Sequence, residues 1–127
     1  MSVVLDSWAI LRYLEDAEPT SSAVAELLDR SKPLVSWINL GEVFYVLCRR
    51  AGEDAASDAL RDLRRCLTAE VPAAERVLRA ARIKAAHPMS YADAFAAATA
   101  AANQATLWTG DPELLVDGAP WTWKDLR

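Results

Sequence analysis

Apolar positions in this chain fall in short runs separated by longer stretches of helical spacing. Val3-Val4-Leu5 has the pattern of a buried strand and runs directly into Asp6. Trp8, Leu11, Tyr13 and Leu14 follow at helical intervals, ending in the polar pair Glu15-Asp16. Pro19-Thr20-Ser21-Ser22 opens a second helix with Val24, Leu27 and Leu28 as its apolar positions. Pro33-Leu34-Val35-Ser36-Trp37 reads as a second strand, and the helix after it carries the stripe Leu40, Val43, Phe44, Leu47 and Cys48. Gly52 breaks the pattern, and Leu60, Leu63 and Leu67 define the next helix. Thr68-Ala69-Glu70-Val71 is a weak strand, and Pro72 starts a helix through Val77, Leu78 and Ile83 to about His87. Pro88 closes that helix, and Ser90 opens another through the alanine-rich stretch Ala94 to Ala102. Ala105 to Thr109 reads as a strand stopped by Gly110-Asp111-Pro112, with a short helical turn over Glu113 to Val116. Trp121 and Trp123 alternate in a final edge strand.

Short strands alternating with helices predict an α/β fold in three layers, a mostly parallel sheet flanked by helices. The 127 residues, 53% hydrophobic and 25% charged, suit one domain over residues 1–127 that folds without staples. No stretch approaches the roughly 20 apolar residues of a membrane span, and the N-terminus meets Asp6 before a signal-peptide core could form. The expected setting is therefore cytoplasmic, with no membrane partner. Cys48 and Cys66 lack CxxC spacing and read as two buried free thiols. With His87 they do not make the four ligands of a structural zinc site. A single histidine also excludes chemistry that needs two imidazoles in one chain; His87, at a helix end, reads as a dipole-facing or surface residue. The net charge of −4 argues mildly against a nucleic-acid partner, unless divalent cations reverse the sign of an acidic site.

Asp6 follows the first strand, and Asp111 follows the strand that ends at Thr109. Asn39 and Glu42 stand at the start of the helix after the second strand, and Asp93 stands in the first turn of a helix leading into a strand. A crossover helix runs antiparallel to the strands it joins, so its N-terminus lies level with their carboxyl ends. All four acids are thereby expected on the rim where open α/β sheets bind ligands. Each has a bland alternative. Asn39-x-x-Glu42 and Ser90-x-x-Asp93 resemble capping boxes, Asp111-Pro112 a helix start, and Asp6 a cap for the helix from Ser7. Four caps would then have to coincide on one sheet edge. Two carboxylates about 4 Å apart repel by about 4 kcal/mol at an effective dielectric of 20, worth roughly three pKa units. Such a rim must take up protons or bind cations. Hard oxygen ligands with no nearby His or Cys favour Mg²⁺ or Mn²⁺, and the chemistry that suits them is phosphodiester hydrolysis.

Val3-Val4-Leu5-Asp6-Ser7, Asn39-Leu40-Gly41-Glu42, Ser90-Tyr91-Ala92-Asp93-Ala94-Phe95 and Leu107-Trp108-Thr109-Gly110-Asp111-Pro112-Glu113 together resemble the four signature segments of PIN domains, in order and over nearly the whole chain. Stand-alone PIN domains of this size are mostly VapC-type toxins of toxin–antitoxin pairs. The resemblance implies a PIN-like fold and a Mg²⁺- or Mn²⁺-dependent endoribonuclease acting on tRNA or rRNA, dimeric and neutralised by a VapB-type antitoxin. It also implies Asp6 and Asp93 as principal metal ligands and Glu42 as the completion of that shell. Asp111 would hold a second ion or position the attacking water. Ser7, Asn39 and Thr109 would orient carboxylates or the scissile phosphate. Position 39 is usually Thr or Ser, and Asn accepts the same capping bond.

Arg61, Arg64 and Arg65 on one helix, and Arg76, Arg79 and Arg82 on another, read either as solvated faces or as a phosphate-tracking surface. Of the five tryptophans, Trp37 and Trp108 read as core, Trp121 and Trp123 as a cap on the sheet edge, and Trp8, just past Asp6, offers a stacking platform for an unpaired base as a minor alternative. The alanine run suits close packing, on the sheet or against a second subunit. A phosphoacceptor receiver domain would need an acidic pair after the first strand and a Lys after the fifth; Asp6 is followed by Ser7-Trp8, and the only lysines are Lys32, Lys84 and Lys124. A haloacid-dehalogenase-type phosphatase would want a second Asp where Trp8 stands. A catalytically silent PIN-like RNA-binding or scaffold module is the remaining alternative, and retention of all four acids argues against it.

Overall fold

The computed structural model describes residues 2–127. Strands β1 (Val3–Leu5), β2 (Leu34–Ser36), β3 (Thr68–Glu70), β4 (Thr106–Thr109) and β5 (Thr122–Asp125) form one sheet in the order β3-β2-β1-β4-β5. Every pairing is parallel. Helices α1 (Ser7–Leu14) and α2 (Thr20–Arg30) connect β1 to β2, α3 (Trp37–Ala51) and α4 (Glu53–Cys66) connect β2 to β3, and α5 (Ala74–Ala86) and α6 (Tyr91–Ala102) connect β3 to β4. From β1 the chain builds outward to β2 and β3 on one side, then returns to β4 and β5 on the other. The strand order thus reverses between β1 and β4, the place where open α/β sheets form a crevice at their carboxyl ends.

Strand pleating sends alternate residues to opposite faces. Val4 and Leu107 join a core with α5 and α6, whereas Leu5, Val35 and Trp108 join a second core with α1 to α4. These are the three expected layers. The alanine run settles on the sheet: Ala94 to Ala100 of α6 are all buried within this chain, so that stretch offers no surface to a second subunit. No helix among the described residues is long and apolar enough to cross a membrane.

The β4–β5 connection, residues 110–121, crosses without a helix. The expected helical turn over Glu113 to Val116 is a tighter turn over residues 112–114, in which Leu114 and Leu115 N–H groups donate to the Asp111 and Pro112 carbonyls. Trp121 and Trp123 tie this loop down, donating their indole N–H groups to the Leu114 and Val116 carbonyls at 3.0 Å each. His87 caps α5 and packs edge-on against Trp121. Three expectations need correction. Trp37 belongs to no strand: the Ser36 hydroxyl accepts from Ile38 N–H at 3.2 Å and starts α3, leaving Trp37 half-buried beneath the Arg64 guanidinium. The helix expected from Pro72 begins at Ala74, with Ala73 as its N-cap. Both cysteines are free, but Cys66 ends α4 in an exposed position and Cys48 is only half-buried.

Candidate metal centre

Asp6 is the first residue beyond β1, next to the end of β4 in the parallel register that pairs Leu5 with Trp108. It is fully buried. One carboxylate oxygen accepts from Ala9 N–H at 2.8 Å, capping α1, and the other accepts from the Thr109 hydroxyl. The Thr109 oxygen in turn accepts from Asp111 N–H at 3.0 Å, so one buried hydroxyl joins Asp6 to the loop bearing Asp111. Asp111 folds that loop further, accepting from Glu113 N–H at 3.0 Å in an Asx turn.

Asp93 enters from the opposite side. The Ser90 hydroxyl caps α6 by accepting from Asp93 N–H at 3.1 Å, which places this side chain in the first helical turn. Carboxylate oxygens of Asp93, Asp111 and Glu113 all lie within 4.8 Å of one another. Glu42, in the second turn of α3, stands outside that trio, but its charge bears on Asp6. Glu113 is the member that sequence reasoning missed, having been assigned to a helical turn. The signal was the Asp-Pro-Glu order after a strand, because an Asx turn brings the third residue back over the first.

Asn39 is the third residue of α3, not its cap. It is fully buried. Its Nδ2 donates to the Ser7 hydroxyl and to the Ala92 carbonyl, each at 3.1 Å, while the Ser7 hydroxyl donates to the Asn39 carbonyl at 3.2 Å. Ser7 follows Asp6 and Ala92 precedes Asp93, so one amide links the starts of α1 and α6 beside both acids. A Thr or Ser could not span both with a single hydroxyl while leaving an amide oxygen over. The Asn39 Oδ1 is buried without a hydrogen-bond partner.

Burial pushes the Asp6 carboxyl up to about 7, with further upward pressure from the Asp111 and Glu42 charges; the hydrogen bonds from Thr109 and Ala9 oppose it. Burial also raises Asp93, to about 8, joined by the charge of Asp111, a side-chain hydrogen bond to it, and the charge of Asp6. Burial first, and like-charged neighbours second, thus bias both acids toward the protonated form. The donor set consists of carboxylate oxygens alone, with an unpartnered amide oxygen nearby and no histidine or cysteine in the cluster. That chemistry fits a hard divalent cation such as Mg²⁺ or Mn²⁺.

Other candidate residues lie outside this cluster. Arg61 pairs with Asp58 and Asp62, and Arg76 pairs with Glu70. Arg79 and Arg82 stay exposed beside Leu78 and Pro120 on the outer side of α5.

The profile of the family described as PIN domain matches residues 3–116. Ribonuclease VapC26 of Mycobacterium tuberculosis is 33% identical over 85 residues, 60% of this chain and 63% of that protein, so the match spans less than two thirds of the relative's length. Among solved structures, VapC20 of Mycobacterium tuberculosis, a Sarcin-Ricin loop cleaving toxin, superposes with a TM-score of 0.71 at 25% identity, covering 92% of this chain and 95% of its own. VapBC2 from Rickettsia felis, solved bound to a DNA fragment from its promoter, reaches a TM-score of 0.79 with full coverage of both chains. At 14% identity, that second likeness speaks to the fold alone.

Proposed function

This chain belongs to the PIN-domain family, and from that membership and its acidic crevice we propose that it is a Mg²⁺- or Mn²⁺-dependent endoribonuclease, the toxin of a VapBC-type pair, with tRNA or rRNA as substrate. The observation that carries the reading is the convergence of Asp6, Asp93 and Asp111, under the charge of Glu42, at the strand-order reversal. The relatives named as a ribonuclease and as a Sarcin-Ricin loop cleaving toxin support RNA as the substrate class.

In this reading Asp6 and Asp93 are the principal ligands, Glu42 completes their shell, and Asp111, with Glu113 beside it, holds a second ion or orients the attacking water. A cation bound there lowers the pKa of a water and offsets the charge of an in-line phosphoryl displacement. The protein's own part is orientation. Ala9 N–H and the Thr109 hydroxyl fix the Asp6 rotamer, and the Asn39 amide holds Ser7 and Ala92, the neighbours of both principal acids, at a constant separation. To hold a cation, Asp6 and Asp93 would have to give up their protons, so binding would be coupled to pH.

A native-state ligand at a hundredfold excess over its Kd adds about 2.7 kcal/mol to stability. Thermal melts at pH 8 are accordingly expected to rise by several degrees with millimolar Mg²⁺ or Mn²⁺ over EDTA. The increment should shrink at pH 5.5, where protons compete for Asp6 and Asp93. A melting temperature indifferent to both ions, with no heat of binding by calorimetry, would overturn the metal assignment.

A homodimer and a VapB-type antitoxin belong to the same proposal and rest on the family, since the alanine-rich helix is spent inside the chain. Light scattering at tens of micromolar is expected to return twice the 13.9 kDa chain mass. A strictly monomeric reading would remove the dimer from it.

A further inference from the structure

Beside the acidic crevice lies an open cavity of about 420 Å³ that the proposed chemistry does not use. Its wall is built from the residues flanking the acids: Trp8, two positions past Asp6, and Gly110 and Pro112, on either side of Asp111. Trp8 is held firmly. A Cβ at position 110 would lie 2.2 Å from the indole, so only glycine lets the ring sit so close to the Asp111 loop. One helical turn on, the Arg12 guanidinium covers the indole at 4.8 Å from the ring centroid. Arg12 is exposed and joins no ion pair among the described residues. Of the other charged groups in the lining, Arg127 is paired with Asp125 at 2.9 Å, and the Glu18 carboxylate, turned to accept from the Ser22 hydroxyl at 2.8 Å, keeps its charge.

We propose that this cavity, floored by the Arg12–Trp8 stack, is a subsite for one unpaired nucleobase of an RNA strand whose backbone crosses the acidic crevice. The inference rests on the ribonuclease reading and deepens it by naming the form of the substrate. The volume lies in the range of small-ligand sites, about 300–1,000 Å³, and is open enough for a base still attached to its strand. A planar cation on a rigid indole is the surface on which unstacked bases settle, and it tolerates any base because each has a π-face. Arg12, in no ion pair among the described residues, also offers a cation for phosphate beside a rim whose carboxylates repel it, in a chain of net charge −4. A base in a continuous helix enters only at the cost of unstacking and unpairing, so the cavity favours loops, bulges and single strands.

The test uses the full chain in EDTA, so that binding is read without cleavage. Anisotropy is measured with an unstructured RNA hexamer, the same hexamer lacking its bases, and a free nucleoside monophosphate. The parent is expected to prefer the base-bearing strand by about tenfold, the size of one stacked base. Arg12→Lys keeps the charge but not the plane, so that preference should fall to about twofold while the salt dependence is retained. Trp8→Phe, which retains an aromatic floor, should keep most of it. Equal affinity of the parent for both strands, an unchanged preference in Arg12→Lys, or a mononucleotide that binds as tightly as the hexamer each overturns the proposal. A separate incubation with Mg²⁺ or Mn²⁺ reads cleavage. Loss of cleavage alone would sink the ribonuclease reading and leave the binding result standing.

Discussion

Asp93→Asn is expected to lower RNA cleavage by a thousandfold or more while leaving the fold intact. The side chain stands in the first turn of α6, and the Ser90 cap binds its backbone N–H, which the substitution does not touch. Losing a negative charge at a helix N-terminus costs about 0.3–1 kcal/mol. Against that, the variant relieves the repulsion from Asp111 and Asp6 that raises Asp93, and an amide can donate to the Asp111 carboxylate. Its melting temperature in EDTA should therefore equal or exceed that of the parent. Cleavage responds differently, because a neutral amide is a poor ligand for a hard cation and supplies no charge. Removing a principal ligand takes away several kcal/mol of transition-state stabilisation, on the order of a thousandfold in rate. A scaffold whose Asp93 served only to start a helix would show the opposite pattern, and an activity equal to the parent's under Mg²⁺ would refute the assignment. Both properties are measured on one purified variant against mapped cuts in total RNA.

The architecture was legible because β1 and β2 are short apolar runs followed by helical stripes and β4 is a third such run, a local pattern that suits a parallel sheet, whereas the polar β3 and β5 gave only weak signals. Asp6 and Asp111 were easy to place for the same reason: each ends such a run, and strand ends share one rim. Features that depend on tertiary approach were harder to read. Asn39 looked like a cap because its spacing to Glu42 fits one, yet Ser36 caps α3, and the partners of Asn39 lie 32 and 53 residues away in sequence. Glu113 carries no periodic signal, since it sits in a loop that an Asx turn folds back over Asp111. Trp37 extended an apolar run and so read as strand, although a single hydroxyl at Ser36 had already turned the chain into a helix. The alanine stretch fits either a sheet or a partner by composition alone. Only the packing of α5 and α6 against the sheet assigns it to the interior.

Asp6→Asn is expected to stabilise the metal-free protein at pH 8 and to abolish its response to divalent metal. The Asp6 carboxyl is raised from 3.8 to about 7, chiefly by burial. Between those values the folded state holds a proton that the unfolded state has released. Stability therefore falls as pH rises through this window and flattens above it. The contribution is fully present below the unfolded pKa of about 3.9 and lost beyond about 7. For a side chain with no solvent exposure, a shift of this size corresponds to a few kcal/mol, in order of magnitude. Asp93, raised to about 8, adds to the slope with the same sign. Asparagine does not titrate, and its carbonyl oxygen can still accept from Ala9 N–H and cap α1. Its amide can donate to the Thr109 oxygen, at the cost of redirecting that hydroxyl, so the gain should be clearest where the parent is fully ionised. In EDTA the parent should lose melting temperature steadily from pH 5.5 to 8 and the variant should lose less, with the gap between them closing only as pH falls toward 4. With millimolar Mn²⁺ at pH 8 the order reverses, because only the parent retains the fully buried Asp6 carboxylate for the cation to neutralise. Parallel pH profiles for the two proteins would mean that Asp6 is not the strained acid of the crevice.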